Sequence, residues 1–299
     1  MSIRLEMLQV ARLAPEVLGE AAELVLEFFK ARQNPDGGFR GRSAESDLYY
    51  TVFGIEGITA MQGILDIDRL KGYLQTFGLG EHLDFVHLCC LARCWANVAQ
   101  ASEQAIPEVL VHSMSKALER YRTEEGGFAP TPSSSQATAY AAFTGVAALQ
   151  DLGLPISNRE GLINSLENLK TGDGVWANEL GVPVGSTNAT AAAVIVMRQL
   201  EMPVEARVGE WLLRQVDLQG GFKAASLAPI PDLLSTATAL HTLASIPYSF
   251  DSVADKCLDF VDSLWVNEGA FYGHWHEDLL DVEYTSYGLL ALGHLSVVA

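Results

Sequence analysis

One short turn, two small residues followed by an aromatic, recurs along this chain at a near-constant interval. It reads Gly37-Gly38-Phe39, Gly126-Gly127-Phe128, Gly174-Val175-Trp176, Gly220-Gly221-Phe222 and Gly269-Ala270-Phe271. Successive aromatics are separated by 89, 48, 46 and 49 residues. The first gap is close to twice the others, which places a degenerate copy near Gly78-Leu79-Gly80. A fixed period in this range signals a repeat architecture. The expectation is a single domain over residues 1–299, built from six repeats of about 46–49 residues.

Each copy has the same order of parts. A charged helix precedes the turn, as in Glu20–Arg32, Glu108–Thr123, Arg159–Lys170, Val204–Val216 and Ser252–Val266. A loop follows, and then a second helix that starts at a Thr and carries almost no charge, as in Thr51–Gly63, Thr187–Met197, Thr236–Ala244 and Thr285–Leu295. A helix with one wet face lies outside, and one apolar all round is buried or lines a cavity. An open array of such hairpins needs polar caps at its ends. The last helix, ending Leu289-Leu290-Ala291-Leu292-Gly293-His294-Leu295, is too apolar to be one. Closure into a double ring hides both ends, so the expected fold is all-α, an α/α toroid with uncharged helices around a central funnel. Period-two alternation is nowhere sustained, so little strand is expected.

Bulk properties narrow the function. The formal net charge of −18 argues against nucleic acid, which demands a basic footprint. No apolar stretch reaches the roughly 18 residues of a membrane span. The N-terminus is interrupted by Glu6, Arg12, Glu16 and Glu20 and does not read as an export signal. Cys89, Cys90 and Cys94 lack C-x-x-C spacing and read as reduced thiols of a cytoplasmic protein. The 49% hydrophobic content suits a large core or a core with an apolar cavity.

The segment Gln33-Asn34-Pro35-Asp36-Gly37-Gly38-Phe39 resembles the Q-x3-G-x-W/F motif of terpenoid cyclases and protein prenyltransferase β subunits. The stretch Gly37–Gly57 is similar to a repeat of the Rab geranylgeranyltransferase β subunit family. This resemblance covers nearly the whole chain, with the second repeat weakest. It implies a toroid that handles an isoprenoid diphosphate or similar lipid, with function seated just before each inner helix. There the chain carries Asp47, Asp232 and Asp281, each of which would serve equally well as a plain helix cap.

Three functions follow from the resemblance. The nearest is prenyl transfer by a β-subunit-like protein, which implies a zinc site and a helical partner subunit. Asp232 matches the family's zinc-binding Asp, but Leu234 and Tyr284 stand where its Cys and His belong, leaving the metal unassigned. Asp47, Arg42 and Tyr50 in the first repeat and His87, with Asp84 and Cys89, in the second suggest a site rotated around the ring. The favoured reading of His87 is nonetheless an ordinary inner-helix histidine in a degenerate repeat. The second function is cyclisation of the class II terpenoid cyclase type. Asp281-Val282-Glu283-Tyr284-Thr285 resembles the D-x-D-D-T acid motif, with Glu283 as general acid, Tyr284 as a cation-stabilising ring and His274 and His276 nearby. The third is binding without catalysis. Tyr50, Tyr140 and Tyr284 are the expected lipid contacts in every case.

Overall fold

The computed structural model describes residues 1–297. Six helices form an inner ring: α4 (Leu48–Ala60), α6 (Phe85–Ala101), α8 (Ala139–Asp151), α10 (Thr187–Gln199), α12 (Leu233–Ser245) and α14 (Val282–Leu295). Each packs on the next, and α14 packs back on α4, so the ring closes. The outer helices are α3 (Ala21–Ala31), α5 (Ile67–Gln75), α7 (Glu108–Glu119), α9 (Arg159–Glu167), α11 (Ala206–Leu213) and α13 (Asp251–Ser263). Two short helices, α1 (Ile3–Ala11) and α2 (Ala14–Leu18), precede them. The architecture is an α/α toroid. No described helix is long and apolar enough to cross a membrane.

The repeated turn has a physical reason for its glycines. The first glycine of each clear copy has a positive φ, from 81° at Gly174 to 103° at Gly126, a conformation that favours Gly. At Gly37, Gly220 and Gly269 a Cβ would collide with a backbone carbonyl of the adjoining outer helix. The aromatic then turns inward; Phe39, Phe128 and Phe222 are fully buried. Its backbone pairs with the chain entering the turn, as in Gln33 with Phe39 and Val216 with Phe222. The only strands among the described residues are two short antiparallel pairs, β1 (Phe39–Arg40) with β2 (Ser46–Asp47) and β3 (Trp265–Val266) with β4 (Ala270–Phe271). Around Gly78 and Gly80 the positive φ survives but no such bridge forms.

Helix α10 starts at Thr187 as the sequence suggested, whereas α4, α12 and α14 start about one turn earlier. Asp47, Asp84, Thr138, Ser186, Asp232 and Asp281 are the N-caps, each accepting from a backbone N–H in the first turn. Thr51, Thr236 and Thr285 sit four residues on and do not begin their helices. Each hydroxyl donates back to the carbonyl of its cap and accepts from the turn aromatic's N–H, as Phe222 to Thr236 at 2.9 Å. The motif and the inner helix are thereby one hydrogen-bonded unit. The six caps gather around one mouth of the ring.

The opposite mouth is plugged by α1, which packs against α14, α4 and α8. Arg4 enters the ring and donates to Asp151 at 2.9 Å, Asn97 at 2.7 Å and Gln100 at 2.9 Å. Close by, Arg93 of α6 grips Glu56 of α4 through two 2.6 Å bonds. Inner helices are therefore not wholly uncharged: besides Glu283 in the first turn of α14, Glu56 and Arg93 lie deeper in the ring, where they pair.

Candidate functional site

Between the six caps and the α1 plug lies a cavity of about 300 Å³. Its wall is built from Tyr49 of α4, Tyr140 and Phe143 of α8, Ala191, Ala192 and Ile195 of α10, Leu234 and His241 of α12, and Glu283 and Tyr287 of α14, with Met7 of α1 below. A smaller compartment of about 100 Å³ adjoins it, sharing Tyr49, Tyr140, Phe143 and Tyr287 and adding Cys89 and Cys90. The cavity is at the low end of the roughly 300–1,000 Å³ range of small-molecule pockets, and mostly apolar as those pockets are. Rings enter it because aromatic residues of the inner helices fall on the concave face, where no outer helix covers them.

Glu283 is the acidic side chain on this wall. Burial pushes its carboxyl up to about 6 from the usual 4.5. The Tyr49 hydroxyl donates to its Oε1 at 2.6 Å and works the other way, as does Arg42, while the neighbouring Asp281 reinforces the rise. Tyr49 itself is pushed far above an ordinary phenol, first by burial, so it remains a donor. Burial likewise lifts Tyr140 to about 12. The result is a carboxyl that is largely protonated in mildly acidic solution, held by a neutral phenol among π faces.

Asp281 stands above it, with no solvent exposure. It caps α14 through Tyr284 N–H at 2.9 Å and accepts from Arg42 Nε at 2.9 Å. Arg42 also donates to Glu277 at 2.8 Å and lies 5.6 Å from the centre of the Tyr284 ring. This joins the loop of the first repeat to the last repeat and closes the ring at its mouth. Tyr284 and Tyr50 support this joint and are not among the residues lining the two compartments; Tyr140 is. His274 and His276 lie on the loop before α14, outside the cavity wall.

Asp47 caps α4, and Asp84 caps α6. Between them sits His87, with Nδ1 2.8 Å from Asp84 and Nε2 3.5 Å from Asp47. Burial alone would lower its pKa, but the two carboxylates overcome that and raise it. It is an ion-paired rim residue whose ring nitrogens are both taken up by carboxylates.

The zinc set implied by the family resemblance does not fit these side chains. Asp232 is occupied at α12, where Ser235 donates to it from both N–H and hydroxyl at 2.7 Å, and Leu234 and Tyr284 offer no thiolate or imidazole. Among the described residues, no three His, Cys, Asp or Glu side chains are grouped to hold a metal. Burial raises the thiols of Cys89 and Cys94 well above the usual value and that of Cys90 to about 12, so they are not thiolates. The cavity wall also offers little to a diphosphate. Arg42 is held by two carboxylates, and Arg93, the guanidinium lining the smaller compartment, is held by Glu56.

Tyr49, Phe143, His241 and Tyr287 of the wall escaped sequence reasoning. Tyr49, Phe143 and Tyr287 read in the sequence as ordinary inner-helix rings. His241 was legible only as an imidazole in an otherwise uncharged inner helix, a signal that the repeat register does not raise.

A family model for the prenyltransferase alpha-alpha toroid domain matches residues 20–174 and 188–295. No curated protein matches the sequence. Among solved structures, a variant of the type II terpene cyclase MstE from Scytonema, in complex with its substrate geranylgeranyl dihydroxybenzoate, aligns over 95% of this chain and 98% of its own. Its TM-score is 0.63 at 14% identity. Candida albicans protein geranylgeranyltransferase-I complexed with GGPP aligns over 81% of this chain and 83% of its own, with TM-score 0.64 at 13% identity. A protein from Actinoplanes aligns over 93% and 98%, with TM-score 0.57 at 14% identity. At these identities the likeness is one of fold.

Proposed function

This chain belongs to the prenyltransferase alpha-alpha toroid family, and from that premise we propose that it is an acid-initiated isoprenoid cyclase with Glu283 as the general acid. The observation that carries this reading is the Glu283 carboxyl, raised to about 6 on the wall of an aromatic-lined cavity and held by Tyr49 at 2.6 Å. A protonated carboxyl so placed gives its proton to a carbon–carbon double bond of a folded polyene. The π electrons form the new C–H bond, and the tertiary cation left behind is attacked by the next double bond. The carboxylate is stabilised at that moment by the Tyr49 hydroxyl, a donor already in position. The cation meets the faces of Tyr49, Tyr140, Phe143 and Tyr287, whose quadrupoles favour positive charge. Apolar walls keep water from capturing the cation early.

The substrate that suits this wall is an isoprenoid presented without a free diphosphate in the cavity. The cyclase MstE, whose substrate joins a geranylgeranyl chain to dihydroxybenzoate, supports that class by analogy of fold. The sequence leaned toward prenyl transfer; the donor set around Asp232 gives transfer no metal to work with, and Glu283 has no part in it. Binding without chemistry gives no role to the Glu283 carboxyl, raised by burial beside the Tyr49 donor on the cavity wall.

The test is to offer the protein farnesol, geranylgeraniol and their diphosphates and to analyse products by mass spectrometry. Conversion to ring-containing isomers is expected. Glu283→Gln, with an unchanged circular dichroism spectrum, is expected to lose at least about 100-fold in rate, the usual scale of a general acid. Conversion that instead requires zinc and a thiol acceptor, or tight binding with no conversion, would overturn the proposal.

A further inference from the structure

With the terminal double bond of an isoprenoid at Glu283, the head of the molecule must lie elsewhere in the cavity. The inner helices all start at the same mouth. Glu283 is the second residue of α14 and Arg93 the ninth of α6, so Arg93 lies about 10 Å deeper in the ring. At that depth the smaller compartment, of about 100 Å³, is walled by Cys90, Arg93, Thr144 and Asp151 as well as by the rings it shares with the main cavity.

Arg93 is held on one edge and open on the other. Its Nε and Nη2 both donate to Glu56, at 2.6 Å each. Those two groups form one side of the planar guanidinium fork, and Nη1 projects from the opposite side. Among the described residues nothing accepts from Nη1, yet it is not one of the buried groups cut off from accessible space. The side chain as a whole keeps 17% of its surface accessible. It borders two spaces, the smaller compartment and a crevice of about 40 Å³ beside α1; Glu56 lines the crevice and not the compartment. The edge turned away from Glu56 therefore faces the compartment. Asp151 and Cys90, both on the compartment wall, are close enough to act on the Arg93 charge.

The charges around this donor already balance. Asn97 donates to Glu56 at 3.1 Å and accepts from Arg4, which pairs with Asp151 at 2.9 Å. Two guanidiniums thus face two carboxylates. An anionic head would bring an unmatched charge into a buried, neutral cluster, at a large desolvation cost. An uncharged oxygen would receive a charge-assisted hydrogen bond from Nη1 without that cost. Since one water occupies about 30 Å³, the compartment admits a head of a few heavy atoms. We propose that the smaller compartment is a head-group subsite, in which Arg93 Nη1 donates to the hydroxyl or carbonyl oxygen of a prenyl alcohol or aldehyde. The chain then rises past Tyr140, Phe143 and Tyr287 to Glu283. The orientation of the chain rests on the acid-initiated reading; the subsite itself is tested without turnover.

The experiment measures binding of farnesol, farnesene and the farnesoate anion to the Glu283→Gln protein by equilibrium dialysis, with and without a change at Arg93. Arg93→Lys keeps a positive charge opposite Glu56 and removes the donor on the other edge. Arg93→Met with Glu56→Leu removes the pair as a unit and leaves no buried charge unpaired. Thermal melts verify folding. Farnesene lacks the oxygen, so the ratio of its Kd to that of farnesol isolates the head. That ratio is expected to fall about tenfold in either variant, the scale of one hydrogen bond to a charged donor. With Arg93 intact, farnesoate is expected to bind more weakly than farnesol. An unchanged ratio in a folded variant, or tighter binding of farnesoate than of farnesol, overturns the subsite. A ratio that responds to Arg93 while wild type leaves farnesol unconverted would instead count against the acid-initiated reading and leave the subsite standing.

Discussion

The hydroxyl of Tyr49 donates to Glu283 Oε1 at 2.6 Å, across the seam where the first inner helix meets the last. The bond ties the acid to ring closure, because its two residues are 234 apart in sequence and meet only when α4 packs on α14. It also holds the carboxyl below the value that burial alone would set.

Tyr49→Phe therefore raises the Glu283 pKa further above 6. A general acid works in its protonated form, so the rate is high below its pKa and falls as pH rises through it. The falling limb of the pH–rate profile is expected to move to higher pH in Tyr49→Phe. The plateau rate drops about tenfold, because the acid is weaker and its conjugate base has lost a donor. Steady-state rates from pH 5 to 9 check both effects.

Thr236→Val tests the joint between turn and inner helix. The Thr236 hydroxyl accepts from Phe222 N–H at 2.9 Å and donates to the Asp232 carbonyl at 2.8 Å, with no solvent exposure. Valine keeps the shape and leaves a buried N–H unpaired, at a cost of about 1–3 kcal/mol. Chemical denaturation measures it. A cost near zero would mean that the turn motif does not depend on this hydroxyl.

The turn, the ring and the order of outer and inner helices were legible because each is written several times over. Sterics demand glycine at the positive-φ position and an aromatic beneath it, so these residues mark every clear copy. The caps were legible as aspartates at one level, but not as the true helix starts, since the inward-bonded Thr is the more regular signal. Nothing in the repeat announces α1: Arg4 finds Asn97, Gln100 and Asp151 about a hundred residues away or more. The site followed the same divide. Glu283 was readable from its place beside Asp281, whereas its bond to Tyr49 and the pairing of His241 Nδ1 with His294 Nε2 at 3.0 Å depend on helix–helix contacts that no spacing along the chain encodes.

Arg4→Ala probes the plug. The Asp151 carboxylate is 1% exposed and, among the described residues, has only Arg4 as a direct ionic partner, with its Oδ2 already unbonded. Removing the guanidinium is expected to destabilise the protein by about 3 kcal/mol, the scale for breaking a buried pair. The double variant Arg4→Met with Asp151→Leu should recover much of that loss. Thermal and urea unfolding of the three proteins separate the outcomes.

The histidine pair makes a pH prediction of definite sign. His241 and His294 lie at about 4 and about 3 in the folded chain and near 6.5 when unfolded. Between pH 6.5 and 4 the unfolded chain binds the extra protons, so the pair's contribution to stability is lost as pH falls through that window. Glu283 and Asp232, raised by burial, act in the opposite sense. Comparison of wild type with His241→Gln/His294→Gln isolates the histidines: the double variant is expected to lose less stability on acidification from pH 6.5 to 4.

Proton delivery from Glu283 to the substrate is followed most directly by deuterium. The protein is incubated in D2O with whichever of farnesol or geranylgeraniol it converts, and the product is analysed by mass spectrometry and NMR. Because Glu283 exchanges with solvent, the account predicts one carbon-bound deuterium per product molecule, at the end of the chain where cyclisation starts, and at least about 100-fold slower product formation by Glu283→Gln. Product without deuterium, or deuterated product made equally well by Glu283→Gln, would contradict it.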